Sequence, residues 1–179
     1  QRLRAKLREV AQLADASTGR QIWTHQHTGM RLENTIDARG AYVTLAAFEG
    51  ESWRLKVLDV ETGKLVADTD LEGIWLKQFL ADGTNAYFVF KDPSPPNRFI
   101  ASAYQLSTGK RLWETKLEGG FTSMFPAVNT RDHVLLNCPT FRNDARQWTP
   151  VLIALDKKTG TESGRIEGSP AATPTYAVD

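Results

Sequence analysis

The pattern of apolar and polar positions divides the chain into short strand-like runs separated by turns. The runs 41–48, 86–90 and 133–138 are rich in β-branched, aromatic and other apolar residues, and a turn signal (DARG, DGTN or NTRD) precedes each of them. Short runs of this composition, bounded by Gly, Asp and Asn, are typical of β-strands and hairpins. The pattern therefore predicts an all-β protein.

One segment recurs along the chain. The four aligned copies are LADASTGRQIWTHQHTG (13–29), VLDVETGKLVADTDLEG (57–73), AYQLSTGKRLWETKLEG (103–119) and IALDKKTGTESGRIEG (153–168). Their period is about 45 residues, which suits either a four-stranded propeller blade or a pair of helices. Because strand-like runs lie between the copies, the blade is favoured, and the predicted fold is a β-propeller of four-stranded antiparallel blades with about four repeats.

Each repeat is predicted to hold strands A to D, with strand A at 30–37, 74–81 and 121–128. The whole chain, 1–179, is then one propeller domain or a fragment of one. Its predicted divisions are the end of a first blade (1–29), three blades (30–73, 74–119 and 120–168) and the first strand of a further or closing blade (169–179).

Several arrangements of the blades remain open. The chain could be a fragment of a larger propeller, a small ring closed by residues 171–178, or half of a homodimer that completes one ring, because open sheet edges favour association. At the start, residues 1–12 fit either a strand or a helix. We expect a helix that joins strand C near Val10.

The repeated residues have predictable structural roles in the turn between strands C and D. The glycines suit a left-handed backbone, the acidic residues can accept backbone N–H bonds, and the tryptophans are expected to pack between neighbouring blades. Val66 or Ala67 occupies the tryptophan position in the second copy, and Ser163-Gly164 does so in the fourth. The motif residues are Asp15, Gly19, Trp23, Asp59, Gly63, Gln105, Gly109, Trp113, Asp156 and Gly160.

Composition narrows the function classes. The chain has 22 basic and 21 acidic residues, a formal net charge of +1, so no overall field favours nucleic acid or an anionic membrane. No apolar run is long enough to predict a membrane span. The only cysteine, Cys138, excludes an intrachain disulfide and a cysteine-based metal site, and a buried thiol is expected there. We predict no catalytic residue and no metal ligand.

The pattern Ala/Leu-x-Asp-x-x-Thr-Gly-Lys/Arg-x-x-Trp resembles the tryptophan-docking motif of PQQ-like (quinoprotein-type) β-propeller repeats, and the resemblance covers essentially the whole chain. Proteins similar to it include quinoprotein alcohol dehydrogenases, the propeller scaffold lipoprotein of the bacterial outer-membrane β-barrel assembly machine, and sensor domains attached to bacterial kinases. The resemblance implies a bacterial protein outside the cytoplasm, in the periplasm or cell envelope. Fold alone does not select among these functions.

Within that family the non-enzymatic branch is favoured. Quinoprotein dehydrogenases typically use a complete propeller, a calcium site, a catalytic aspartate and often a disulfide between adjacent cysteines, which one cysteine cannot form. The resemblance therefore implies a cofactor-free scaffold or sensor module rather than an enzyme. A fragment of a PQQ-dependent dehydrogenase is the alternative.

A partner is expected to bind at one end of the blades. Loops from B to C and from D to the next A emerge at the same end, and the B-to-C loops, predicted at 48–54, 91–99 and 140–148, vary most in length. Aromatic residues and arginines there are the types enriched in interface hot spots. The candidates for a protein- or peptide-docking face are Trp53, Arg54, Trp75, Arg98, Phe121, Phe141, Arg142, Arg146 and Trp148. Loop tips that merely pack on one another, with solvated arginines, are the alternative interpretation.

Overall fold

The computed structural model describes residues 8–14, 17–28, 36–92, 98–118, 127–138, 140–142 and 147–168, and these consist of β-strands, turns and short connections without a helix. The sixteen strands are β1 Arg8–Ala14, β2 Gln21–Thr28, β3 Ile36–Arg39, β4 Tyr42–Glu49, β5 Ser52–Asp59, β6 Leu65–Leu71, β7 Leu76–Ala81, β8 Asn85–Lys91, β9 Arg98–Gln105, β10 Arg111–Glu118, β11 Val128–Asn129, β12 His133–Asn137, β13 Thr140–Arg142, β14 Gln147–Thr149, β15 Val151–Asp156 and β16 Glu162–Glu167.

Most of these strands form three four-stranded antiparallel sheets, in the orders β3-β4-β5-β6, β7-β8-β9-β10 and β11-β12-β15-β16. The first two connect strands that are consecutive in sequence, and in the third the short ribbon β13-β14 interrupts the hairpin between β12 and β15. A sheet of four such strands is the blade of a β-propeller. The fold class predicted from the sequence is confirmed: the chain is a partial propeller of about three to four blades.

Burial explains the apolar pattern of the strands. In β4, residues 43–47 are buried without a break, and β8 and β9 have similar unbroken buried stretches. In the outer strands β6 and β10, by contrast, single buried residues are separated by several more exposed ones. Central strands are covered on both faces and the outer strand on one, which is why the central strands read as continuous apolar runs.

The same β-bulge occurs in each hairpin whose two strands are joined by a Thr-Gly turn. In β1–β2, Leu13 pairs with Trp23 and Ala14 with Gln21, so that Ile22 has no partner residue. The equivalent unpaired residues in the later hairpins are Val66, Leu112 and Ser163. A bulge increases the local twist of an outer strand. The alternating pattern of the sequence gives no sign of it.

The chain divides into two compact units. The first comprises Gln1–Glu72, Ala81–Ala86 and Gln105–Lys110, and the second comprises Gly73–Leu80, Tyr87–Tyr104 and Arg111–Asp179. In the first, a cluster of Trp23, Val43, Leu45 and Leu58 lies beside Val60. In the second, Phe88 contacts other rings, with centroid separations of 5.1 Å to Phe79 and 5.7 Å to Tyr104. Offset and edge-on contacts of this kind are the favourable aromatic geometries.

The amino-terminal expectation is corrected in part. The strand β1 begins at Arg8, two residues before the Val10 at which a helix was expected to join it. Residues 1–7 lie outside the described residues.

Candidate functional site

The Thr-Gly turns are held by a network that the sequence predicted only in part. Gly63 has a φ of 67°, in the left-handed region, and its N–H donates to the carbonyl oxygen of Asp59 at 2.9 Å. The Asp59 carboxylate accepts from both the N–H and the hydroxyl of Thr62, at 2.8 and 2.7 Å. The same hydroxyl accepts from the Lys64 N–H at 3.4 Å. The threonine therefore links both sides of the turn, a role not foreseen from the sequence.

The other copies repeat this turn. Gly19, Gly109 and Gly160 have φ angles of 68°, 68° and 72°, as the turn was expected to require. The Asp156 carboxylate accepts from the N–H and hydroxyl of Thr159, at 2.8 and 3.0 Å. Gln105, which replaces the acid, accepts from the Thr108 hydroxyl at 2.9 Å. Asp15 lies outside the described residues.

These hydrogen bonds favour the ionised carboxylates. The pKa of Asp59 is lowered chiefly by the hydroxyl and N–H of Thr62, and the pKa of Asp156 by the N–H and hydroxyl of Thr159. A hydrogen bond to the charged form of an acid stabilises that form. Both carboxylates accept hydrogen bonds from their own turn.

The tryptophans of the outer strands dock on the turn of the next repeat. Trp23 donates its indole N–H to the Val60 carbonyl at 2.8 Å, and Trp113 does the same to the Lys157 carbonyl at 2.8 Å. Each ring lies against a turn glycine: a Cβ on Gly63 would stand 2.6 Å from the Trp23 ring. The glycine is therefore required twice, by its φ angle and by the ring above it. Tryptophan packing between repeats was expected from the sequence.

A threonine two residues after the tryptophan position is a second docking contact. Thr115 donates its hydroxyl to the Gly160 carbonyl at 2.6 Å, and Thr69 donates to the Gly109 carbonyl at 3.1 Å. Thr69 does so in the repeat where Ala67 replaces the tryptophan. The sequence prediction did not include this threonine, although it recurs six residues after the turn glycine in both repeats.

The opposite end of the middle sheet carries the candidate binding surface. The Lys91 N–H donates to the Trp75 carbonyl at 2.9 Å, which joins the end of β8 to the residue before β7. The Trp75 side chain is 57% exposed and its neighbour Ile74 is 45% exposed. The ammonium groups of Lys77 and Lys91 lie 5.7 and 4.7 Å from the centre of the Trp75 ring. We call Ile74, Trp75, Lys77 and Lys91 the Trp75 surface.

Arg98 stands at the same end of this sheet. Its carbonyl accepts from the Asp92 N–H at 3.0 Å, and its guanidinium lies 3.6 Å from the Glu118 carboxylate. Both partners of that ion pair are well exposed, so it contributes about 1 kcal/mol or less. Arg98 is therefore accessible beside β8.

The first blade places its two candidates differently. The predicted loop 48–54 is a tight hairpin whose only turn residues are Gly50 and Glu51. Trp53 lies buried within β5, with its ring 5.4 Å from that of Phe48. The Trp53 side chain is thus part of the blade interior, because the strand continues to the tip where a loop was expected.

Arg54 takes part in ion pairs on the same blade. Its Nε lies 2.8 Å from Asp68 and its Nη1 lies 2.6 Å from Asp70. The hydrogen bond to Asp68 is the main cause that raises the pKa of Arg54. The neighbouring Lys56 pairs with Glu49 at 2.6 Å. The arginine side chain extends toward the acids of the outer strand β6, and its part in a binding face stays a prediction.

In the third blade, the predicted loop 140–148 contains the two-stranded ribbon β13-β14, in which Phe141 pairs with Trp148 and Arg142 with Gln147. A ribbon was not expected from the sequence, because only three residues form each strand. Phe121 and Arg146 lie outside the described residues. Their part in a binding face stays a prediction, as does that of Phe141, Arg142 and Trp148.

Cys138 is enclosed in the second unit. Burial raises the pKa of its thiol to about 12, and the sulfur lies 3.7 Å from the Glu118 carbonyl oxygen. A thiol this difficult to ionise is a poor nucleophile at neutral pH. Elsewhere in this unit, a small void lined by Gln78, Tyr87 and Trp113 among others has a volume of about 10 Å³, room for about one water molecule.

Among the described residues, no group of three or more His, Cys, Asp or Glu side chains is placed to hold a metal ion. Nor does the described part of the chain contain a helix with the length and apolar character needed to cross a membrane.

No protein-family model matches the chain, and no curated protein matches it. Solved structures to which the chain is similar include a quinohemoprotein alcohol dehydrogenase from Comamonas testosteroni (TM-score 0.49, 15% identity, 78% of this chain and 22% of the other covered) and a europium-containing methanol dehydrogenase (TM-score 0.44, 15% identity, 88% and 38% covered). A prolyl endopeptidase structure also matches (TM-score 0.41, 16% identity, 80% and 20% covered). The chain spans well under half the length of each of these proteins.

Proposed function

We propose that this chain is a non-catalytic propeller module that binds a protein or peptide partner through the sheet end formed by the B-to-C and D-to-A connections. The observation that carries the proposal is the exposure of Trp75, which is 57% exposed beside a 45% exposed Ile74. Adjacent exposed residues of this size offer apolar area that a partner can cover. Tryptophan is also the residue type most enriched in binding hot spots.

The scaffold supports this role. Trp75 is tied to β8 by the hydrogen bond between its carbonyl and the Lys91 N–H, and β8 is a central strand with a continuously buried stretch. A residue whose backbone is held at the end of a rigid sheet loses less conformational freedom when a partner binds than a residue of a mobile loop does. A cofactor is not part of the proposed activity.

Selection of peptides from a random library tests the proposal. The selected peptides are measured by fluorescence anisotropy against the wild type, Trp75→Ala and the matched control Leu112→Ala, which removes an exposed apolar side chain from β10. We expect Trp75→Ala to weaken binding about tenfold or more, with the control unchanged. Equal affinity for the wild type and Trp75→Ala would contradict the proposal.

The remaining predicted face residues are tested in the same assay. Alanine at Trp148 and at Arg146 is expected to weaken binding if the partner reaches across the third blade. If both variants bind as the wild type does, the proposed contact is confined to the middle blade.

The alternative function, a fragment of a PQQ-dependent dehydrogenase, rests on the sequence motif. It predicts quinone absorbance after incubation with PQQ and a higher melting temperature in calcium. If neither change is observed under conditions where a peptide binds, the binding module is supported over the enzyme fragment.

A further inference from the structure

We infer that the Trp75 surface takes an acidic peptide segment that also carries an aromatic or large aliphatic side chain. This inference rests on the proposed function and specifies the chemistry of the partner. It is drawn from the charges around Trp75 rather than from the exposed ring alone.

The two lysines of the surface differ from most cations of the described strands. Arg54, Lys56, Arg98, Arg111 and Arg165 all pair with carboxylates at 2.6–3.8 Å. For Lys77 and Lys91, no carboxylate of the described residues lies within ion-pair distance, and their recorded contact is with the face of the Trp75 ring. The positive charge is therefore available to an incoming anion.

Cation–π contact also positions these charges. The face of an aromatic ring attracts an ammonium group, and the ammonium group loses part of its hydration when it lies there. Because both ammonium groups lie within 6 Å of the Trp75 centroid, a carboxylate that reaches either lysine also approaches the indole. An acidic residue and an apolar residue close together in one peptide can thus satisfy the lysines and cover the ring.

The neighbouring acids do not reverse this charge. Glu72 is exposed in the connection before Trp75, whereas Asp92, which follows Lys91, is only 8% exposed. Arg98, at the same end of the sheet, is paired with Glu118, so the positive charge of the surface comes from the two lysines. The positive charge of the Trp75 surface therefore favours the binding of an anion.

A peptide fits this arrangement better than a nucleic acid. Nucleic-acid binding requires a broad basic face, and the chain has a net charge of only +1. A compact pair of lysines around one tryptophan matches a short acidic and apolar sequence. A single-stranded oligonucleotide is therefore included in the test as a competing anion.

The test uses fluorescein-labelled synthetic peptides and anisotropy at low and moderate salt. The probe has a central phenylalanine flanked by glutamates. Three other ligands are compared with this probe: a peptide with glutamine in place of each glutamate, a peptide with alanine in place of phenylalanine, and an oligothymidine of similar length. The protein variants are Lys77→Gln/Lys91→Gln, Trp75→Ala and the charge-matched control Lys64→Gln/Lys110→Gln, at two exposed lysines beside Thr-Gly turns.

We expect the acidic probe to bind the wild type and the control equally, and the Lys77/Lys91 variant about fivefold or more weakly, with salt reducing the difference. The glutamine peptide and the alanine peptide should each lose affinity. Binding of the glutamine peptide as tightly as the acidic probe would overturn the inference while supporting the proposed function. Tighter binding of the oligothymidine would overturn it in favour of a nucleic acid. Failure of all the designed peptides would overturn the inference, while the proposed function is decided by the library-selected peptides.

Discussion

The third and fourth Thr-Gly turns have the same backbone and different side chains. In both, the glycine N–H donates at 2.8 Å to the carbonyl of the residue four positions earlier, and the glycine is left-handed. The fourth turn adds the Asp156 carboxylate and the Trp113 ring, whereas the third has Gln105 and lies against Ala67 and Thr69. The turn therefore forms with a neutral amide in place of the acid and without a docked tryptophan ring, and we expect the acid and the tryptophan to add stability to it.

Removing the docked tryptophan should have the largest effect. Trp113→Ala deletes a buried ring and its hydrogen bond to Lys157, and we expect the free energy of unfolding to fall by about 3–5 kcal/mol. Urea denaturation measures the change. The neighbouring Leu112→Ala, at the exposed bulge residue, is the control and should cost about 0.5 kcal/mol or less. Similar losses in the two variants would mean that the ring does not hold the turn.

Replacement of a turn glycine by alanine distinguishes the cost of backbone strain from the cost of displacing the docked tryptophan ring. Gly160→Ala requires a strained φ and pushes a Cβ into the Trp113 ring, whereas Gly19→Ala has the same strain and meets no atom within 4 Å. We expect about 1 kcal/mol of destabilisation at Gly19 and about 2–4 kcal/mol at Gly160. Equal values in urea denaturation would show that strain alone explains the glycines.

Introducing the missing tryptophan tests whether the third turn is a vacant copy of the fourth. A Cβ on Gly109 would already stand 3.0 Å from that of Ala67, so the space above this glycine is filled. Ala67→Trp should therefore destabilise by about 1–3 kcal/mol through overpacking. Ala67→Ser, which changes volume little, serves as the control. A stabilised Ala67→Trp protein would instead mean that the outer strand can move to accept a ring.

The threonine hydrogen bonds should have a smaller effect that is similar at both turns. Thr115→Val and Thr69→Val each remove a hydroxyl bonded to a glycine carbonyl, at a cost of about 1 kcal/mol. Thermal unfolding of both variants measures this. If only Thr69→Val destabilised the protein, the tryptophan would be compensating for the lost threonine bond at the fourth turn.

The turns also mark the limit of what the sequence predicts. Spacing and residue type located the glycines, because few residues other than glycine adopt a left-handed backbone easily. The bulge at Ile22 and the short hairpin at Gly50 depend on strand register, which the alternation of side chains does not reveal. For the candidate site, composition identified Trp75 but also Trp53, since residue type alone cannot say which tryptophan points inward.

Protonation of the aspartates in the Thr-Gly turns should change the free energy of unfolding least among these tests. Its effect is specific to the carboxylates that accept hydrogen bonds in the turn. Hydrogen bonds lower the folded-state pKa of Asp59 and Asp156 below 3.8, so their contribution to stability is full above that value and is lost as the pH falls through the lower, folded pKa. Asp59→Asn and Asp156→Asn should therefore lose less stability than the wild type on acidification. Gln105→Asp should lose more, because it gives the third turn the carboxylate it lacks.

Urea denaturation at a series of acidic pH values measures the slope of the free energy of unfolding against pH. The control is Glu61→Gln, which removes an exposed acid of the second turn. Identical slopes for Asp59→Asn and Glu61→Gln would mean that the hydrogen bonds from Thr62 do not hold the carboxylate in its ionised form.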